Sequence, residues 1–271
     1  MQATEPVIET ESNPYVAAFD EFESTLRGNE PAWVLSLRKS GLARFAETGL
    51  PTVKCEDWRF TSLTALASAP FRPSASAEGA APAKLDELPC AKLDCHRMVF
   101  VDGKFDAGSS SLPSLDGIVV TNLQSGLSDE QAIAQQFFGQ SKQDPTNPFQ
   151  ALSDAYFQDG AFIHIAKGKS LDKPIVLAFL TTTPETTTHP RNLVIAEEGS
   201  SATIIELNIG QTGESYFSNA LNEFVVRDNA AVEHIKFQDE SEAAFHIATN
   251  LADLGRDTRF HFCKGGFIID K

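Results

Sequence analysis

The chain has 271 residues, 42% of them hydrophobic, and a formal net charge of −15 with an isoelectric point near 4.8. That length suits one large or two small domains with a sizeable core, and the acidity argues against a nucleic-acid partner, which needs a basic footprint. No apolar run reaches the roughly 18 residues that a membrane span needs.

The N-terminus shows neither the basic start and apolar stretch of a secretory signal nor the basic character of a transit peptide. Four cysteines, Cys55, Cys90, Cys95 and Cys263, are too sparse for a disulfide framework, and a reducing cytoplasmic setting is the natural expectation.

In chain order, Asn13-Pro14 supplies a helix start, with Tyr15, Phe19, Phe22 and Leu26 forming one apolar stripe that Gly28 ends. A second start at Asn29-Glu30-Pro31 feeds a segment with Trp33, Val34, Leu37, Leu42 and Phe45, closed by Gly49. Two such helices across a tight turn predict an αα-hairpin. Residues 50–63 read as a loop with a buried Trp58, and Arg72–Lys84 as a flexible connector. Leu127–Phe138 is expected to be helical with Ser128 as its cap, and Phe149–Phe157 to be another helix.

From Ala161 the pattern changes to period two, in Ala161–Ile165 and then Pro174–Thr181, with a Thr-rich β connector at Thr181–Thr188. Between Arg191 and Lys271 one pattern passes three times: an apolar run, a polar turn, an apolar run. The turns centre on Gly199, Asn229 and Gly255, residues suited to positive φ, and their spacing marks stacked repeats. Ile205, Leu207 and Ile209 alternate with Glu206 and Asn208, as do Ile235 and Phe237 with His234, Lys236 and Gln238. The apolar sets are expected inside and the polar sets in solvent.

The fold class expected is α+β: an N-terminal helical region, then the first coils of a right-handed parallel β-helix, or β-solenoid, incomplete at the C-terminus. The division expected is 13–158, mainly helical with a short β segment near 99–120, and 159–271, the partial β-helix core.

Gly49-Leu50-Pro51-Thr52, Lys54, Glu56, Trp58-Arg59-Phe60-Thr61 and Leu63 together resemble the N-terminal signature of the SufD branch of the SufB/SufD iron–sulfur cluster assembly family. Val99–Phe105, Asn147–Phe149 through Asp159–Ala161, His189–Leu193 and Asn222–Gln238 are similar to that family in the same order. The resemblance implies a non-catalytic scaffold subunit acting with SufB-like and SufC-like proteins. It implies no cofactor in the isolated chain, and a transient iron–sulfur cluster at an interface with SufB. Homodimerisation is a further option; neither nucleic acid nor membrane is an expected partner.

Family members also continue well past Lys271, and the SufC-docking surface and a cluster-ligand histidine lie in that later part. Neither transfers to a residue here. The chain is therefore expected to be a fragment, or to cover its end by association.

Candidate chemistry is sparse. Cys90 and Cys95 with His96 lack the further ligands of a ferredoxin or zinc site. His261 and Cys263, two apart on an expected strand, share a face opposite Phe260 and Phe262 and are the only candidate metal ligands, with a partner needed to complete a site. His164, His234 and His246 stand singly. Asp228, Glu233, Asp253 and Asp257 form no column, so solvation is preferred to the acid–base or calcium site of a carbohydrate-active β-helix enzyme. No catalytic residue is assigned, no nucleotide-binding loop occurs, and the remaining alternative is an interaction module without cluster chemistry.

Overall fold

The computed structural model describes residues 14–26, 30–69, 71–73, 91–140 and 144–266. The expected helix boundaries at Asn13, Gly28 and Asn29, the connector residues 74–84, Cys90 and residues 267–271 lie outside the described residues.

The N-terminal part holds α1 (Pro14–Ala17), α2 (Phe19–Thr25), α3 (Ala32–Thr48) and α4 (Thr64–Ser68). The first apolar stripe is thus two short helices, broken at Ala18, and not one. Its residues still share a cluster with Phe45, because Tyr15, Phe19 and Phe22 keep helical spacing across the break. α3 stops at Gly49, which adopts φ 60° and donates its N–H to the Phe45 carbonyl. The expected αα-hairpin is not the main contact of α3. Its chief partner is α7 (Pro148–Tyr156), from far along the chain.

α7 is buried along its whole length. Asn147 starts it, its side chain accepting from the N–H groups of Phe149 and Gln150, with Pro148 at the first helical position. Between them lie α5 (Leu123–Asp129) and α6 (Gln131–Phe137), which divide at Glu130. Ser128 does not cap a helix here. It sits in the last turn of α5 and donates back to the carbonyls of Gln124 and Ser125. Trp58 is half-buried on the 50–63 loop and packs on Phe149 at 5.0 Å.

The remaining elements are β1 (Arg72–Pro73), β2 (His96–Val101), β3 (Lys104–Phe105), β4 (Ile118–Asn122), β5 (Ala161–Ile165), β6 (Ile175–Thr181), β7 (Thr186–Thr188), β8 (Arg191–Ala196), β9 (Ser201–Gly210), β10 (Phe217–Val226), β11 (Ala231–Asp239), β12 (Phe245–Leu254) and β13 (Arg259–Gly266). They make two sheets. One runs β4–β5–β8–β10–β12, with β7 and β1 also carried beside β10; the other runs β3–β2–β6–β9–β11–β13. All pairs from β5 and β6 onward are parallel, and the chain alternates between the sheets. This is the expected solenoid, in four coils: β5–β6, β7/β8–β9, β10–β11 and β12–β13.

The repeat therefore begins one coil earlier than the three passes suggested. Corresponding turns carry positive φ at Gly168 (70°), Gly199 (68°), Asn229 (59°) and Asp257 (55°). Gly255 is not the positive-φ residue of the fourth turn. A Cβ there would meet Asp228 Oδ1 at 2.6 Å and Asp228 N at 2.7 Å, so Gly255 serves close approach between coils.

The interior at the end near these turns is apolar: Ile163, Ile165, Ile175, Leu177, Val194, Ala202, Ile204, Phe224, Val226 and Val232 form one cluster. Each large apolar side chain so buried stabilises by roughly 2 kcal/mol. The opposite end of the interior is different in kind.

Candidate functional site

The period-two reading of β9 and β11 is inverted by the structure. Glu206, Asn208, His234 and Lys236 are 0–2% exposed and face inward, whereas Ile205, Ile209, Ile235 and Phe237 are half-buried on the outer face. Alternation identifies two faces but not which one lies inside. Here the outer face is partly covered too, in a cluster that joins Val176 and Leu207 to Ile205, Ile209 and Phe237.

Burying an unpaired charge costs several kcal/mol, so buried carboxylates and ammonium groups have to find each other. They do. Glu206 Oε1 accepts from Lys236 Nζ at 2.7 Å and from Asn208 Nδ2 at 2.9 Å. Its Oε2 meets His234 Nε2 and Asn222 Nδ2, both at 3.0 Å. Burial alone would push the Glu206 carboxyl up, but the charges of Lys236 and His234 and their hydrogen bonds outweigh it and hold the carboxyl well below the usual carboxylate range.

Lys236 Nζ continues to His246 Nε2 at 2.8 Å, and His246 Nδ1 to Glu240 Oε2 at 2.7 Å. Glu240 also accepts from Gln238 Nε2 at 3.0 Å and Tyr216 Oη at 3.3 Å. Its carboxyl, too, is lowered against the effect of burial, mainly by the His246 imidazole beside it. The result is one chain of polar contacts through three successive coils to the 239–244 corner.

An amide ladder runs beside it. Asn192, Asn222 and Asn250 stand in register on β8, β10 and β12. Asn192 Oδ1 accepts from the Ala161 N–H at 2.7 Å, Asn192 Nδ2 donates to Asn222 Oδ1 at 2.7 Å, and Asn222 Nδ2 donates to Asn250 Oδ1 at 2.8 Å.

A second buried ionic cluster joins the helices to the outer face of the solenoid. Arg191 pairs with Asp154 of α7 and with Glu223 of β10, the latter at 2.7 Å, and Asp154 also takes Arg44 of α3. The Gly139 N–H donates to both Glu223 oxygens. Burial would disfavour the Arg191 charge, but Glu223 and Asp154 reverse that and raise its pKa further. Nearby, Arg38 donates to the carbonyls of Ala155 and Phe157 at the end of α7 and pairs with Glu30. These arginines fasten the helices to the coils.

The residues singled out from the sequence fall elsewhere. His261 and Cys263 lie on β13 and are exposed, in register with Glu233 and Ile235 of β11. Among the described residues, no group of three or more His, Cys, Asp or Glu side chains is placed to hold a metal ion. Cys95 is half-buried against Val176 and Leu207. Asp228 and Asp253 pair across coils with Arg256 and Arg227. His234 and His246, read singly from the sequence, belong to one network. The 30-residue step from Glu206 to Lys236 was the signal that could have joined them, once inward and outward faces were known.

Residues 9–177 match the SufBD protein N-terminal region, and residues 179–268 match the SufBD core domain of the SUF system for FeS cluster assembly. The chain belongs to the SufBD family. It is 29% identical to an iron–sulfur cluster assembly SufBD family protein of Synechocystis sp. over 95% of this chain and 58% of the relative. It is likewise 29% identical to the iron–sulfur cluster assembly protein SufD of Escherichia coli, over 84% of this chain and 52% of that protein. The chain thus spans about half the length of these curated relatives. No helix among the described residues is long and apolar enough to cross a membrane.

Proposed function

We propose that this chain is a SufD-type, non-catalytic scaffold subunit of cytoplasmic iron–sulfur cluster assembly, acting with SufB-like and SufC-like proteins. The observation that carries this reading is the four-coil parallel solenoid, with its N-terminal helices, matching both parts of the SufBD family along the chain. The signature at Gly49–Leu63 favours the SufD branch, in line with the similarity to the E. coli protein.

In this reading the chain contributes one wall of an interface, and a transient cluster forms only where a partner adds ligands. His261 and Cys263 are the donors it would offer from β13. A homodimer is the alternative arrangement in the absence of SufB.

Co-expression with SufB and SufC from the same source is the test. Both partners are expected to co-purify with the chain; recovery of neither removes the scaffold role from it. Anaerobic reconstitution of the isolated chain with iron and sulfide is expected to leave little visible absorption. A stoichiometric brown protein would instead make the chain a cluster holder in its own right.

A further inference from the structure

β12 and β13 lie at one end of the stack of coils, and among the described residues neither pairs with a strand on its outer edge. The residues that this coil turns inward are therefore open to solvent. Leu254 is 48% exposed and Phe262 46%, although their register partners Val226 and His234 are buried. Asn250 and Lys264, in register with Asn222 and Lys236, are exposed as well. A free sheet edge of this kind also carries unpaired backbone groups, a template for a further strand.

The polar groups at this end ask for particular partners. In the amide ladder each side chain accepts from the coil before it and donates to the coil after it, as Asn222 does between Asn192 and Asn250. Asn250 thus has its carbonyl taken, and its Nδ2 hydrogens lack an acceptor among the described residues. On the other sheet, Glu206 and Lys236 are in register and meet at 2.7 Å, so inward neighbours one coil apart reach each other. Lys264 comes next in that column, beside a second cation and without an acidic partner among the described residues.

The outer side of β12 adds a third element. A cavity of about 650 Å³ lies there, with Phe137 of α6, Val225 and Leu251 in its lining and the Arg227–Asp253 pair beside them. On a strand laid parallel to β12, the residue after the one opposite Asn250 falls opposite Leu251 and faces this cavity.

We propose that the β12–β13 end is a docking site for one further coil of the same repeat, a parallel strand–turn–strand segment with a side-chain oxygen opposite Asn250, an apolar residue after it and a carboxylate opposite Lys264.

The second coil of this chain has that composition, with Asn192, Leu193 and Val194 on β8 and then Ile204 and Glu206 on β9. The third coil does not, because it would set Lys236 against Lys264. A second copy applied through the same end brings the same amide donor and the same ammonium, so donor would face donor. The inference goes beyond the scaffold reading: it concerns what the end of the stack recognises and involves neither SufB nor SufC.

The test uses the whole chain and a synthetic peptide of residues 191–210, which carries Asn192 and Glu206 at the required spacing. Saturable binding is expected, with slower amide hydrogen exchange along β12 and β13 and a shifted Asn250 side-chain signal in nitrogen-15 NMR. Glu206→Gln in the peptide, which leaves the chain untouched, should weaken binding about tenfold. Lys264→Ala in the chain, a change at an exposed position, should remove that difference. The proposal is overturned by absence of saturable binding, by equal binding of the Glu206→Gln peptide, or by a Glu206 dependence that survives Lys264→Ala. Self-association of the chain that Lys264→Ala abolishes overturns it too, because a second copy would then occupy this end.

Discussion

The molecule buries charge in two places and in two chemical styles. Where the helices meet the solenoid, arginines do the pairing: Arg191 holds Asp154 and Glu223, and Arg38 holds Glu30 and the end of α7. Arg191 is fully buried, and its guanidinium stays charged at any pH a protein survives, so this cluster is fixed. Inside the coils the cation is a lysine between a glutamate and a histidine, and one nitrogen of each imidazole, His234 Nδ1 and His246 Nδ1, has no hydrogen-bond partner. The arginine clamp joins helices to coils, whereas the lysine-centred chain joins one coil to the next. The comparison teaches that burial alone does not tell the two roles apart, and that the chemistry of the cation does.

The largest expected effect is at the clamp. Arg191→Met strands the Asp154 and Glu223 carboxylates without their shared partner, and should destabilise the chain by about 4–5 kcal/mol in denaturant unfolding. Loss of under about 1 kcal/mol would mean that the cluster does not hold the helices to the coils.

Acid should act next, by a route close to the clamp. His189 stacks on Tyr156 and contacts Thr187 and Asn219, and burial lowers its pKa from 6.5 to about 3. Its folded-state pKa is the depressed one, so the unfolded chain binds the extra proton. The stability it contributes is complete above 6.5 and is lost as pH falls toward about 3, reaching about 3 kcal/mol of loss near pH 4. Glu206, also depressed, adds loss in the same direction below 4.5. Asp159, raised by burial, works the opposite way but is tempered by bonds from Asn122, Gln124 and Gly160. Unfolding curves from pH 7 to pH 4 give the check, and His189→Asn should flatten them above pH 5.

Within the coils, Glu206→Gln keeps the shape and one acceptor but leaves Lys236 without its counter-charge, for a cost of about 3 kcal/mol by thermal unfolding. A cost equal to that of Arg191→Met would make the interior chain another clamp and weaken the contrast.

Why the clamp and the interior chain were not equally readable follows from their residues. The solenoid showed itself through period-two strands and turn residues such as Gly199 and Asn229, which are local signals. The interior chain depends on which face of β9 points inward, and Ile205 and Leu207 are as convincing a buried face as Glu206 and Asn208 are a wet one. Only the stacking of coils decides it, because Glu206 and Lys236 meet across a 30-residue step. Arg191 lies in the His189–Leu193 stretch that resembles the family, but its partners Asp154 and Glu223 are 37 and 32 residues away, beyond any helix or strand period. The fourth turn differs from the sequence expectation for a related reason: the glycine there serves close approach, and Asp257 carries the positive φ.

That distinction supplies the smallest effects, at the exposed rim where ion pairs should matter least. Arg256 reaches Asp228 at 2.7 Å and 3.0 Å, geometry as good as that of the buried pairs, yet its side chain is 88% exposed. Water screens such a pair, so Arg256→Ala should leave the unfolding midpoint unchanged. Its neighbour behaves otherwise. An added methyl at Gly255 collides with the Asp228 backbone and carboxylate, and Gly255→Ala should cost about 2 kcal/mol through the forced shift between coils. Gly199→Ala, with open space around the new methyl but φ 68°, should cost only about 1 kcal/mol, and Gly199→Asn less still. A midpoint that falls with Arg256→Ala but not with Gly255→Ala would mean that the rim is held by its charges. Coil stacking would then owe more to electrostatics at its surface than the contrast between the two buried clusters allows.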